Sequence, residues 1–488
     1  MPAYPATPLV RFAQSLQHRD ILEELRHGLI GDGAPVPGPF GANPLIYADY
    51  VASGRALEQV ERFVMTEILP FYANSHTEAS HCGSVMTRMR REARTTIARL
   101  TGADDRHAVI FCGSGATTGI NRLVHLFAVP EVLARGERVC VLIGPYEHHS
   151  NILPWRECGA EVIEIPEGAT GGPDMAALDD ALAATKGATL RIGAFSAASN
   201  VTGILTDTDA VTRKLRAAGA LSVWDYAGGG PYLPIDMAGD GDAAKDAVVV
   251  SPHKFLGGPA ATGVLVLRKD AVGRKAPVHP GGGTVRFVTP DAHDYTGDLA
   301  AREEGGTPNV IGDIRAALAF LVKDAIGQTV MDDRHAALNA RALAVWQDNP
   351  NLEVLGLNKG ARLPIFSFRV RDAQGGYVHQ QLFTRMLSDC YGIQARGGCA
   401  CAGPYAHRLL GIDKAGSEAL RARILAGDEL AKPGWVRLNF SVLHDDAKAD
   451  RIIAAVDELS RNPRPAMDYY RADPQTARFH PVVAETAA

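Results

Sequence analysis

The sequence predicts an α/β protein with a mainly parallel sheet, followed by a smaller α+β domain. Three observations carry the prediction. From Ile46 onward, short β-branched apolar runs alternate with amphipathic helical stretches, the pattern of a parallel sheet covered on both faces. After GGTPN (305–309) that alternation gives way to a long helical stretch and then a strand–helix–strand mix. The chain has 488 residues, enough for two or three domains and at least one large core.

In chain order, residues 1–45 hold one expected helix, over 8–31, and then GDGAPVPGPFGANP, whose glycines and prolines exclude a helix. They form an arm ahead of a large domain spanning 46–310. There AVIFC precedes a helix from Thr117, RVCVLIG a helix over 151–159, and EVIEI one over 175–185. LRIGAFS precedes a helix over 207–218, and LSVWDY and AVVVS follow. A smaller domain covers 311–462. It opens with a helical stretch over 311–348, contains the strands PIFSFRV and WVRLNFSV, and carries an extra polar helix at 416–433. Residues 463–488 read as a tail rich in Pro and Ala.

Composition narrows the function classes. Hydrophobic residues make up 46% and charged ones 22%, with 50 glycines dispersed, as in a globular protein. Lys and Arg total 50 against 55 Asp and Glu, a net charge of −5, and no basic run interleaves with aromatics, so nucleic acid is not an expected partner. No apolar stretch approaches the ~18 residues that span a bilayer. The opening MPAYPATPLVRFAQSLQ lacks the basic-then-apolar order of a secretion signal, which leads us to expect a cytoplasmic protein without a membrane partner. Seven cysteines without framework spacing suit a reducing compartment.

The chemistry-bearing segments start at Lys254. It follows the apolar run AVVVS in SPHKFLGGP, where Ser251 and His253 offer hydrogen bonds to an anion and glycines allow close backbone approach. A desolvated lysine is a nucleophilic amine suited to condense with an aldehyde. Asp225 ends the apolar run LSVW; it is either a turn cap or the partner of a buried cation such as a protonated pyridinium nitrogen. FCGSGATTGIN (111–121) reads as strand, glycine turn and helix start, which aims backbone N–H groups at an anion. By itself it fits a cofactor phosphate, a nucleotide or a plain tight turn. His148 and His149 of EHHS are either a helix-start pair facing solvent or an imidazole lying over an aromatic ring.

Taken together these segments resemble the class V aminotransferase family of fold-type I pyridoxal 5'-phosphate (PLP) enzymes, and within it most of all the cysteine desulfurases and selenocysteine lyases. The resemblance runs over 46–460 and rests on YADYVASG, EHHSNILPW, SNVTG, SPHK and GGTPN in the family's order. It implies a seven-stranded, mainly parallel sheet and PLP bound covalently to Lys254. It further implies that Ala116, Thr117, Ser251 and His253 hold the phosphate, that His148 stacks on the ring and moves a proton, that Asn200 bonds near the phenolic oxygen and the substrate, and that Asp225 holds the ring nitrogen. Thr307 is implied to reach the phosphate of a second copy, hence a homodimer, and His76 to stand at the site entrance.

RGGCACAGPY (396–405) is similar to the family's Arg-x-Gly-x-x-Cys loop. That similarity implies Cys401 as the nucleophile and Arg396 as an active-site arginine, and WVRLNFSV implies Arg437 as the grip on the substrate carboxylate. The expected reaction removes sulfur or selenium from an L-cysteine-type amino acid to give alanine and an enzyme persulfide, which a protein or small-molecule acceptor then takes. The alternative is another class V reaction, a β-elimination, epimerisation or transamination, in which Cys401 is only structural. Departures from the family pattern fall at Cys399 and Ala400 before the cysteine, at Gly228, and at Ala116. Two thiolates without a second pair or a histidine make a poor tetrahedral zinc site, so no metal is expected.

Overall fold

The structure, a computed structural model, describes residues 6–17, 19–75, 77–239, 241–357, 359–372 and 374–482. The chain divides into two compact units. Unit 1 comprises the chain up to Ile30, Ser53–Ala198 and Leu205–Val330; unit 2 comprises Gly31–Ala52, Ser199–Ile204 and the chain from Met331.

Unit 1 is built on seven strands: β1 (His107–Phe111), β2 (Val139–Ile143), β3 (Glu161–Glu164), β4 (Leu190–Ser196), β5 (Leu221–Asp225), β6 (Ala247–Val250) and β7 (Val264–Arg268), in the order β1-β7-β6-β5-β4-β2-β3. The five strands from β6 to β3 are mutually parallel, whereas β7 runs antiparallel to both β6 and β1. Burial explains the composition of these strands. All four residues of β6, AVVV, are fully buried. Burying a valine side chain contributes about 1.5–3 kcal/mol, more than the ~1 kcal/mol span of intrinsic strand propensity, so the apolar run itself fixes the strand. The helix α1 (Ala116–Leu126) lays Ile120 and Leu123 onto the face formed by Val141, Ile192, Val223 and Val249.

Where the sequence reads one helix over 311–348, the chain forms two. The first, α2 (Val310–Ile326), is capped by Asn309, whose Oδ1 accepts the Gly312 N–H at 3.1 Å, and belongs to unit 1. It stops at Gly327, whose φ of 80° breaks the helix, and Gln328–Trp346 forms the second. The arm likewise holds two helices, Pro8–Ser15 and Ile21–His27, the latter capped by Asp20.

Unit 2 contains an antiparallel sheet of β8 (Leu352–Val354), β9 (Ile365–Val370), β10 (Arg396–Gly398) and β11 (Trp435–Asn439), ordered β8-β9-β11-β10. Trp346, Phe366, Phe368, Phe440 and Val456 form its core. Ile46–Tyr47 pairs in parallel with Ile393–Gln394, which joins the segment up to Ala52 to this unit. The extra polar helix is Lys414–Leu425, without a buried residue. The C-terminal segment forms a hairpin, Tyr470–Asp473 with Arg478–Pro481, and the Tyr470 hydroxyl donates to Asp389 Oδ2 at 2.9 Å. Among the described residues, no helix is long and apolar enough to cross a membrane.

Candidate active site

Parallel strands bring whatever follows their carboxyl ends to one edge of the sheet. In unit 1 that edge collects Glu147 and His148 after β2, Ser196 closing β4, Asp225 closing β5, and Ser251 to Lys254 after β6. Asp225 is buried, and its Oδ1 accepts the Ala227 N–H at 2.7 Å. Burial pushes its carboxyl above the usual carboxylate range, against the pull of that N–H and of the Lys254 charge. A carboxylate so enclosed costs free energy unless a cation meets it. Lys254 ends a short 3₁₀ turn, Pro252–Lys254, with its backbone N–H on Ser251 O at 3.0 Å. His253 is pushed down to about 4, by burial first and by the Lys254 charge second, so it is neutral near pH 7.

The turn beside Ser251 is set by Gly115, which adopts φ 100° immediately before α1. A Cβ there would lie 2.6 Å from Ser251 Oγ and 2.9 Å from His253 Cε1, so the turn has room only for glycine. The Ala116 N–H donates to Ser251 Oγ at 3.0 Å. Thr117 Oγ1 lies 2.6 Å from Ser150 Oγ, which lies 3.0 Å from His148 Nδ1. A glycine-lined helix start beside a serine hydroxyl suits a phosphate. A buried aspartate suits a protonated ring nitrogen, and a lysine on the adjoining turn suits a carbonyl. That donor set fits PLP.

Two residues of unit 1 carry structure that the sequence reading did not single out. Glu147 is buried and accepts the Ser196 N–H (2.8 Å), the Ser196 hydroxyl (2.7 Å) and the Asn151 amide (2.6 Å); burial pushes it up to about 7. Its signal was a carboxylate placed just after an apolar strand, in IGPYE. Ser150, which joins Thr117 to His148, has no signal beyond its neighbours.

Unit 2 assembles a second set. Arg396 on β10 and Arg437 on β11 are directly opposed in the sheet register. Asp49, 7% exposed, lies between their guanidinium groups: Oδ1 accepts Arg437 Nη2 and Oδ2 accepts Arg396 Nε, each at 3.0 Å. Arg437 Nη1 donates to the Asn200 carbonyl at 3.1 Å, and the Asn200 side-chain amide donates to Ala400 O at 2.9 Å. Cys399 is half-buried and Cys401 exposed, just beyond β10. Asp49 escaped the sequence reading because its partners stand 347 and 388 positions away.

The sequence-derived site residues therefore fall into two groups. Ala116, Thr117, His148, Asp225, Ser251, His253 and Lys254 gather at the sheet edge of unit 1, and Asn200, Arg396, Cys401 and Arg437 belong to unit 2. Thr307 is exposed, on the loop before α2. His76 lies outside the described residues.

The family model described as Aminotransferase class-V matches residues 46–426. A cysteine desulfurase from Enterobacter sp. (strain 638) is 28% identical over 365 residues, covering 74% of this chain and 85% of that protein. One from Pectobacterium atrosepticum is 27% identical over 426 residues, covering 86% and 94%. Among solved structures, an apo cysteine desulfurase from Thermococcus onnurineus NA1 superposes with a TM-score of 0.72 at 22% identity, covering 90% of this chain and 98% of that one. A cysteine desulfurase from Escherichia coli, in an S-sulfonic acid form, gives 0.69 at 23% identity with the same coverage.

Proposed function

Because the chain belongs to the class V aminotransferase family of PLP enzymes, we propose that it is a cysteine desulfurase, taking sulfur from L-cysteine or a close relative to give alanine and an enzyme persulfide. The observation that carries this reading over the other class V reactions is Cys401, an exposed thiol on the loop that follows β10, the strand paired with the one bearing Arg437.

Bound at the sheet edge of unit 1, PLP supplies an electron sink for bonds at the amino acid's Cα. The chain's own residues do the rest. Ser251 and the start of α1 would hold the phosphate, Asp225 would hold the proton on the ring nitrogen, and His148 would contact the ring. Lys254 Nζ would anchor the cofactor and take the Cα proton. Arg437 binds the substrate carboxylate, held in orientation by Asp49 and the Asn200 carbonyl. Cys401, as thiolate, attacks the substrate's sulfur: an S–S bond forms as the Cβ–S bond breaks, the electron pair and a proton stay with the three-carbon product, and alanine leaves. Thr307 completes the phosphate site of a second copy, so the working form is a homodimer. We place the enzyme in the cytoplasm and in sulfur metabolism, passing its persulfide to a protein or small-molecule acceptor.

The test is product analysis with L-cysteine. Wild type is expected to release alanine and to carry a persulfide on Cys401; Cys401→Ser is expected to bind PLP but release little alanine, and Cys399→Ser to lose much less. Pyruvate in place of alanine, or full turnover by Cys401→Ser, would establish an elimination or transamination enzyme instead.

A further inference from the structure

The loop after β10 has an uncommon backbone. Ala400 (φ 53°) and Cys401 (φ 55°) are consecutive non-glycine residues in the left-handed region, where Cβ crowds the following carbonyl. Such a pair persists only where its surroundings hold it. Within the loop, the Ala402 N–H donates to Cys399 O at 3.1 Å. From outside, the Asn200 side-chain amide donates to Ala400 O at 2.9 Å, across 200 positions of sequence.

Asn200 is itself fixed. It is 9% exposed and sits in a turn where Ser199 Oγ accepts the N–H groups of Val201 (3.2 Å) and Thr202 (3.1 Å). The Ser199 N–H donates to Ile204 O at 2.8 Å, and Ser367 on β9 donates its hydroxyl to Val201 O at 2.6 Å. The same residue touches the thiol loop through its side chain and Arg437 through its carbonyl.

We propose that Asn200 is a positioning residue for the reactive thiol: its amide holds Ala400 in the left-handed conformation and so aims the Cys401 side chain, while its carbonyl separately orients Arg437. The inference rests on Cys401 being the sulfur acceptor. It requires a donor at position 200. Asn200→Asp sets a second acceptor against Ala400 O, Asn200→Ala leaves that carbonyl bare, and neither alters the backbone bond to Arg437.

The experiment compares wild-type holoenzyme with Asn200→Asp, Asn200→Ala and the double variant Asn200→Ala/Ala400→Gly. Hydrogen exchange of the loop amides over 398–403 is expected to quicken about tenfold in both single variants, the change one lost hydrogen bond produces. The kcat for alanine should fall about tenfold in both single variants. Ala400→Gly should restore part of kcat in the Asn200→Ala background, because glycine takes the left-handed conformation unaided. Unchanged loop exchange, or a double variant no faster than Asn200→Ala, would overturn the proposal. Should the Asp variant not fold, the uncharged Ala variant gives the same reading. Loop exchange needs no turnover, so it judges the latch even if Cys401→Ser proves fully active and the desulfurase reading falls.

Discussion

Asp49 is one carboxylate shared by two arginines in unequal surroundings. Its side chain is 9% exposed, that of Arg437 5% and that of Arg396 55%. Removing one member of a buried ion pair strands the other and costs about 3–5 kcal/mol, whereas an exposed partner is worth about 1 kcal/mol or less. Asp49→Ala is therefore expected to lower the unfolding free energy of the apo protein by about 3 kcal/mol, and Arg396→Ala by less than about 1 kcal/mol. Urea titrations with equal slopes would measure both, and comparable losses from the two variants would contradict this account. The contrast also marks what was legible at this scale. Lys254 and Asp225 announce themselves through contiguous segments, SPHK and LSVWD, because the chemistry and the strand that positions it are local. Asp49 gains its meaning from two arginines near the other end of the chain, and nothing in YADYV says so.

At the scale of elements, the turn from β1 into α1 shows how a backbone requirement shapes the proposed phosphate site. Gly115 combines φ 100° with a Cβ position 2.6 Å from Ser251 Oγ. Gly115→Ala must shift either the turn or the serine, and a side chain held in such a region costs roughly 1–3 kcal/mol. PLP affinity is expected to fall by roughly ten- to a hundredfold, read from absorbance titration of apo protein, with the far-ultraviolet spectrum unchanged. An alanine variant that binds PLP like wild type would show that the turn yields freely. The sheet strands up to β6 were readable from β-branched runs, but β7, VLVLR, was not among them. Its role also depends on pairing: it lies antiparallel between β6 and β1, an arrangement that no local period encodes. The break at Gly327 is a local event that a glycine inside a helical pattern signals only weakly.

For the whole molecule, buried ionisable groups give the two units opposite responses to acid. In unit 2, burial pushes His335 and His444 down to about 4. His444 Nδ1 accepts the Ser441 N–H at 3.3 Å and Nε2 faces Tyr47 O at 3.0 Å, as a neutral ring requires. Unfolding lets each ring take a proton below its ordinary value near 6.5, so their contribution is present above that pH and is lost as pH falls toward 4, by on the order of 3 kcal/mol each at most. In unit 1, Glu147 and Asp313 are pushed up to about 7 and about 6. Their contribution is present below the ordinary carboxylate range and is lost as pH rises through those values, and it opposes the acid sensitivity of His253 in the same unit. Between pH 7 and pH 5, hydrogen exchange corrected for intrinsic rates should show protection falling first over 331–482, and His444→Gln should narrow the difference. Protection falling first in the sheet of unit 1 would refute this assignment.

The sequence by itself determined the fold class and the family, because apolar period and contiguous motifs are properties of neighbouring residues. Tertiary structure alone decided which distant groups meet: Asp49 between Arg396 and Arg437, Ser150 between Thr117 and His148, and the amide of Asn200 on the carbonyl of Ala400. Apart from the short step from Ser150 to His148, these are hydrogen bonds of about 3 Å between groups separated by tens to hundreds of residues, and only a folded chain brings such groups within that distance.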